Sequence, residues 1–553
     1  MSTDDESFHP LGEEWEDELE TMLDDTEYDS ELGMEMAQDA MRVTKGELSE
    51  AEFHDRYHEE VMEEFGEDER PTKEAYEAAQ EEAKGTVSNM LSRFDGDGEE
   101  TRRETMKKMG VGAAAVGMGA FGTAADGPGQ SLAAEEGPRQ ETTEESDTQW
   151  GMTIDLDRCD GCLSCMTACS QENDVDKGVN WMYVMAWEDE NHSGASDGEN
   201  TDTSSQFNRL SDYNMLVRPC QHCTDAPCEK VCPTTARHTR DKDGLVLTDY
   251  DVCIGCRYCQ VACPYGVNYF QWDDPDVAYE DIDGLEDPED PDEITHAEYE
   301  HGERWVDSRA PRGVMSKCTM CPSMQDGKQG DDKIGTTACE TACPPDAIQF
   351  GNVKDERSDP SQHREYPTKS RAVIDINADV PSADVVDENV SDGDSLEDAI
   401  EAIDSTENAE LDETMVSVAK AIEIQSRDAE TEPGDEENNS ILEQQQAVLE
   451  FVTALEEYVD LESESARETL DLDQVDDLES AAQIRLEQYA GDPSSFQLLE
   501  DIGTNPNITY LGTQPGPEAH QVEGPTKYED VDLLDKRQEY LDNETVGDAG
   551  VRL

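Results

Sequence analysis

Sixteen cysteines fall into four short runs, and thiols crowded in this way are suited to one chemistry above others, the holding of metal. The first run is Cys159, Cys162, Cys165 and Cys169, spaced C-x2-C-x2-C-x3-C. The second, Cys220, Cys223, Cys228 and Cys232, reads C-x2-C-x4-C-x3-C-P, and the third, Cys253, Cys256, Cys259 and Cys263, reads C-x2-C-x2-C-x3-C-P. In the fourth, Cys318 and Cys321 are followed only after seventeen residues by Cys339 and Cys343, again with a proline next. No thiol is left over, and none lies outside the stretch from Cys159 to Cys343. Disulfides suit this pattern poorly, because cysteines two or three residues apart cannot reach bridging geometry without distortion.

The spacing itself argues for iron–sulfur clusters. Three thiolates at x2 intervals curl around one face of a cubane, each on a different iron, while the fourth leads into a helix and points to a neighbouring cluster. Runs of this kind therefore work in reciprocal pairs, and sixteen thiolates imply four 4Fe-4S clusters. Zinc is the competing reading, since CxxC pairs 12 to 20 residues apart do build four-cysteine zinc sites. The fourth run alone would pass for one. Zinc does not explain the third and fourth cysteines of the first and third runs. His222, inside "CQHC", reads as a hydrogen-bonding or solvent-facing residue, because the cluster positions are already filled. The region has no CxxCH haem site and no dinucleotide glycine fingerprint.

Short strand-like stretches flank the runs: "MTIDLD" before the first, "YNMLVRP" before the second, "GLVLTD" before the third and "AIQFGNV" after the fourth. The expected fold class is α+β, tandem bacterial-ferredoxin-like modules organised by clusters rather than by a large apolar core. Five regions follow. Residues 1–89 are acidic and helical, with Leu48, Phe53, Tyr57, Val61, Met62 and Phe65 at near-helical intervals. Residues 90–150 are a signal-like segment and linker, 151–358 the cluster-bearing domain, 359–492 an acidic helical insertion, and 493–553 a return segment and tail. Within the insertion, Ile441, Leu442, Val448, Leu449, Phe451, Val452, Leu455 and Val459 form an apolar stripe of the core or partner-facing kind.

The chain has 553 residues and carries 136 Asp plus Glu against 40 Lys plus Arg, a net charge of −96. Nucleic acid is disfavoured as a partner, since binding it needs basic side chains against phosphate. Acidity spread through patterned segments points to a halophile, in whose molar salt the Debye length is about 3 Å and self-repulsion is screened. Local disorder is the other reading, and it suits runs such as "DIDGLEDPEDPDE".

A basic cluster at 101–108 precedes 17 uncharged residues rich in Gly and Ala. The segment resembles a twin-arginine export signal with Arg102 and Arg103 as the pair, although the pair lies far from the first Met and Thr105 occupies a position usually apolar. A flexible linker is the alternative. As a membrane span the stretch is marginal.

The runs in this order, with the words "CDGCLSC", "CQHCTDAPCEKVCP", "CIGCRYCQVACPYG" and "KCTMC", are similar to the four-cluster iron–sulfur subunit of the dimethyl sulfoxide reductase and polysulfide reductase type. The resemblance covers 151–357 and resumes at 493–512, leaving the first 150 residues outside it. It implies an electron-transfer subunit with no substrate site of its own, between a molybdopterin catalytic subunit and a membrane quinone-reactive subunit, as in anaerobic respiration. It implies four ligand sets: Cys159, Cys162, Cys165 and Cys343; Cys318, Cys321, Cys339 and Cys169; Cys220, Cys223, Cys228 and Cys263; and Cys253, Cys256, Cys259 and Cys232. Relatives of nitrate reductase type hold a three-iron cluster where a third-run cysteine is replaced; Cys256 is present here, so four cubanes are expected. The expected location is at the membrane through a partner, on its outer face after export, with the cytoplasmic face as the alternative. A free-standing polyferredoxin serving soluble partners is the other functional reading, and a zinc-stapled scaffold a third.

Overall fold

The computed structural model describes residues 19–23, 26, 28–66, 146–175, 179–188, 214–272, 297–298, 304–306, 310–407, 411–427, 439–516 and 519–521. The twin-arginine-like segment lies outside them, as does the "DIDGLEDPEDPDE" run. Two compact units emerge: one of Met1–Arg158, Leu163–Tyr183 and Val217–Thr513, the other of Cys159–Cys162, Val184–Leu216 and Gln514–Leu553. Mixed helix and strand make the class α+β.

The first unit is built on a four-stranded sheet in the order Ile348–Asn352, Trp150–Asp155, Ile508–Leu511, Ser495–Phe496. Trp150–Asp155 runs antiparallel to Ile348–Asn352, with Met152 opposite Phe350, and parallel to Ile508–Leu511, with Met152 opposite Ile508. Its residues from Gly151 onward are buried, which is why this strand sits inside the sheet while the two-residue Ser495–Phe496 closes an edge. Two short ribbons carry the cysteine loops. Arg237–Thr239 pairs with Val246–Thr248, and Tyr269–Phe270 pairs with Met315–Ser316.

Helices Asp359–Glu365 and Pro367–Ile376 lie on this sheet. Thr153 Oγ1 donates to the Pro360 carbonyl at 2.7 Å, and the Arg371 guanidinium forms a two-pronged ion pair with the fully buried Asp155. His363 Nε2 stands 3.3 Å from the same carboxylate. Burial alone would raise the Asp155 pKa, but His363 and Arg371 hold it below the usual carboxylate range. Beyond them, helices Glu413–Ser426, Ser440–Glu456 and Leu478–Ala490 bury a continuous apolar core containing Val416, Ile422, Val448, Phe451 and Leu455. Each such side chain contributes roughly 1.5–3 kcal/mol when withdrawn from water.

Near the start, Asp29 caps helix Ser30–Thr44 and Ser49 caps Glu50–Phe65, each side chain accepting from the backbone N–H of the third residue on. Gly66 closes the second helix in the left-handed conformation. Leu48, Phe53, Tyr57 and Val61 are buried and Phe65 is half-buried, whereas Met62, placed by periodicity on the same stripe, is 42% exposed. The helix pair covers helix Tyr258–Ala262: Tyr258 Oη donates to the Asp29 carbonyl at 2.7 Å, and Gly33 approaches the Tyr258 ring so closely that a Cβ would stand 2.7 Å from it.

A further three-stranded sheet has Val184–Glu188 between His520–Gln521 and Asn214–Val217. Among the described residues no helix is long and apolar enough to cross a membrane.

Candidate metal centres

The cysteine loops owe their shape to left-handed backbone at matching places. In the first run Gly161 has φ 64° and Leu163 φ 63°; in the third Gly255 has φ 69° and Arg257 φ 65°. Both loops then enter a helix, Ser164–Asn173 or Tyr258–Ala262, that carries the third cysteine of its run. At Gly255 a side chain would collide with the Gly313 carbonyl as well as strain the backbone, so glycine is required there.

Twelve of the sixteen cysteines line three cavities of the first unit. Cys220, Cys223, Cys228 and Cys263 line one of about 320 Å³. Cys169, Cys318, Cys321 and Cys339 line a second of about 300 Å³. Cys232, Cys253, Cys256 and Cys259 line a third of about 310 Å³. In each, three cysteines come from one run and the fourth from another. Among the described residues no three His, Cys, Asp or Glu side chains converge on a point, as a single-ion site would need. Of the remaining four cysteines, Cys165 and Cys343 belong to the first unit, Cys159 and Cys162 to the second.

The surroundings suit thiolates bound to a cluster. Backbone N–H groups of Arg237, Met315 and Ala347 donate to the sulfurs of Cys232, Cys253 and Cys343 at 3.4, 3.5 and 3.3 Å. Asn173 Nδ2 donates to Cys169 Sγ at 3.6 Å, and Thr337 Oγ1 lies 3.3 Å from Cys339 Sγ. Such donors stabilise charge on sulfur. Without iron the same sites disfavour thiolate. Burial first, then the neighbouring Cys220, pushes the Cys318 thiol up to about 11; burial and then Cys259 push Cys253 up to about 12. Metal binding there releases protons and contributes to folding.

The cavities form a series. Lys317, which lines the first, immediately precedes Cys318 of the second, and Arg237, which lines the third, donates to Asn268 Oδ1 in the lining of the first at 2.8 Å. His222 sits at the former junction as a buried structural link. Val246 N–H donates to Nδ1 at 3.0 Å, so Nε2 carries the proton and donates to the Cys318 carbonyl at 2.9 Å. Burial and then Lys317 hold its pKa well below the ordinary histidine value, which keeps the ring neutral.

The return segment seals the second run. Asn507 Nδ2 donates to the His222 carbonyl at 2.6 Å, Gln221 Nε2 donates to Tyr510 Oη at 3.1 Å, and Tyr265 Oη bonds Thr504 Oγ1. Two buried cations, Lys317 and Arg237, were not among the candidate residues. Lys317 was visible only as the basic residue opening "KCTMC"; Arg237, in "TTARHT", gave no signal.

Two family models match the chain: the N-terminal region of 4Fe-4S ferredoxin iron–sulfur binding, over residues 9–73, and a 4Fe-4S dicluster domain, over residues 211–279. The helices over Tyr258 thus match a ferredoxin-associated family, although the first 150 residues lay outside the resemblance drawn from the cysteine motifs. Among curated proteins, the chain is 37% identical over 254 residues to a putative dimethyl sulfoxide reductase iron–sulfur subunit of Halobacterium salinarum, covering 44% of this chain and 82% of that protein. It is 34% identical to the arsenate respiratory reductase iron–sulfur subunit of a Shewanella species, covering 38% and 85%. It is 33% identical to the iron–sulfur cluster-binding subunit of the menaquinone reductase of Nitratidesulfovibrio vulgaris, covering 38% and 77%.

Proposed function

Because this chain belongs to the family of iron–sulfur subunits of dimethyl sulfoxide reductase type, we propose that it relays electrons through four 4Fe-4S clusters between a molybdopterin catalytic subunit and a membrane quinone-reactive subunit. The observation that carries this reading is the three cavities, each lined by four cysteines and linked through Lys317–Cys318 and Arg237–Asn268. A series of redox sites suits a wire between two partners, and the relatives named above are subunits of reductases.

The ligand sets follow the reciprocal scheme. Cys169 joins Cys318, Cys321 and Cys339; Cys263 joins Cys220, Cys223 and Cys228; Cys232 joins Cys253, Cys256 and Cys259; and Cys343 joins Cys159, Cys162 and Cys165. The cavity linings support the first three sets. The clusters supply one-electron exchange. The chain's own residues hold them, donate hydrogen bonds to their sulfurs and keep water away, as the burial of Cys169, Cys223, Cys256 and Cys339 implies. The five-region division, with 359–492 as an insertion, belongs to the same proposal, as do the halophilic setting, export through Arg102 and Arg103, and residence at the outer membrane face through the partners.

Purification in high salt tests the function. A stable complex with a large molybdenum-containing subunit, and roughly sixteen irons on this chain, is expected. A brown monomer with no such partner under the same conditions sinks the proposal in favour of a free polyferredoxin.

A further inference from the structure

Lys317 and Arg237 are each 2% exposed, in a chain of net charge −96. Lys317 lines the cavity of Cys220, Cys223, Cys228 and Cys263, and it immediately precedes Cys318 of the neighbouring one. Its ammonium donates to the carbonyls of Cys318, at 2.9 Å, and Val246. Arg237 lines the cavity of Cys232, Cys253, Cys256 and Cys259. Its Nη2 donates to Cys259 Sγ at 3.6 Å and to Asn268 Oδ1 at 2.8 Å, while Nε and Nη1 are buried with no hydrogen-bond partner. Asn268, which accepts that hydrogen bond, lines the middle cavity of Cys220, Cys223, Cys228 and Cys263. Among the described residues neither cation has a carboxylate partner, whereas the buried Arg240 has Asp243 and Asp326 and the buried Lys420 has three glutamates.

A buried cation is costly unless a negative charge faces it. Four thiolates on a cubane provide that charge, and each one-electron reduction makes it larger. We propose that Lys317 and Arg237 set the reduction potentials of the clusters, one cation at each junction of the three-cavity series, with the middle cluster raised by both. The Lys317 charge acts on the clusters of Cys318 and Cys220, the Arg237 charge on those of Cys220 and Cys259. Both favour the added electron and so raise the potential. The middle site thereby stays accessible to electrons in a protein whose surface charge pushes the other way. Surface carboxylates are screened within about 3 Å in molar salt, but charges this deep are screened far less.

The test is a redox titration followed by electron paramagnetic resonance on the full chain in its complex, at high salt. Signals are assigned beforehand by Cys169→Ser, Cys263→Ser and Cys253→Ser. Arg237→Met is expected to lower the potentials of the Cys263 and Cys253 signals and leave the Cys169 signal in place. Lys317→Met is expected to lower the Cys169 and Cys263 signals and leave that of Cys253. A tenfold change in the reduction equilibrium, about 59 mV for one electron, is the expected scale. Arg237→Lys should stay near the wild-type values. If the methionine variants take up no iron, the neutral, hydrogen-bonding Arg237→Gln and Lys317→Gln decide; each should lower the same two signals as its methionine counterpart. Unchanged potentials in iron-loaded variants, or a uniform shift of every signal, overturn the proposal. The inference rests on the ligand sets above, whose failure shows separately, as Cys169→Ser and Cys318→Ser perturbing different signals.

Discussion

Cys169 follows Cys159, Cys162 and Cys165 in the chain but lines a cavity with Cys318, Cys321 and Cys339. If one run held one cluster, Cys169→Ser would damage the site of its sequence neighbours. The reciprocal sets predict that Cys169→Ser and Cys318→Ser perturb one and the same paramagnetic signal, because serine is a harder, poorly acidic ligand on which the cubane is lost, becomes three-iron or shifts in potential. A spectrum grouping Cys169 with Cys159 would refute that assignment. Asp155 governs a different property. With its carboxylate held below the usual range by His363 and Arg371, its stabilising contribution is complete above the unfolded value near 3.9 and is lost as pH falls through the lower folded value. Asp155→Ala leaves Arg371 buried without its main counter-charge, at a cost of about 3–5 kcal/mol. Denaturant unfolding at neutral pH should show that loss, and the gap between variant and wild type should close in strong acid. A wild-type midpoint for the variant would mean that the pair contributes nothing.

Among the elements, the helices Ser30–Thr44 and Glu50–Phe65 cover the helix that carries Cys259. Gly33→Val places methyl groups where the Tyr258 ring already lies, and should lift this cover. The expected outcome is faster oxidative bleaching of the cluster assigned to Cys253, with the other signals unaffected; equal rates for all clusters would show that the helices shield nothing. Much of the local structure is legible in the chain. The stretches "MTIDLD", "GLVLTD" and "AIQFGNV" contain strands Trp150–Asp155, Val246–Thr248 and Ile348–Asn352 or overlap them, because short apolar runs between turn signals report strands, although these strands are buried on both faces rather than on one. The stripe of Ser440–Glu456 is buried as its spacing requires, with Leu449 alone half-buried. Long-range placement is not legible. Nothing local marks Asp359–Glu365 as a cover for the sheet, or pairs Met152 with Ile508, since neither partner carries the other's position in its own pattern. Spacing proposes ligand sets because cysteines are rare and cluster geometry is demanding; it is silent on Arg237 and Lys317, whose roles exist only once distant loops meet.

For the molecule as a whole, a net charge of −96 makes salt part of the structure. Lowering salt from about 1 M to 0.1 M lengthens the Debye length from about 3 to 10 Å. The helical block of residues 359–490 has an apolar core and cation centres such as Lys420 with Glu423 and Glu456, at 2.7 and 2.5 Å, to resist that repulsion. The cluster region has iron as well. Dialysis into dilute buffer should therefore remove helical ellipticity before visible cluster absorbance, and bleaching first would reverse that order. The pairing of Trp150–Asp155 with Ile508–Leu511 also has a consequence for the timetable of biosynthesis. The strand that leads into the first cysteine run emerges from the ribosome more than 300 residues before its parallel partner, and the segment that bonds Gln221, His222 and Tyr265 emerges with that partner. Non-local pairings of this separation are slow to form. Nascent chains arrested before residue 495 should bind iron weakly and lose it to a mild chelator, while completed chains retain it. On that outcome cofactor loading is a post-translational event, and the nascent protein must keep its thiols from oxidising while their enclosure is unfinished, all sixteen of them from Cys343 until the return segment emerges.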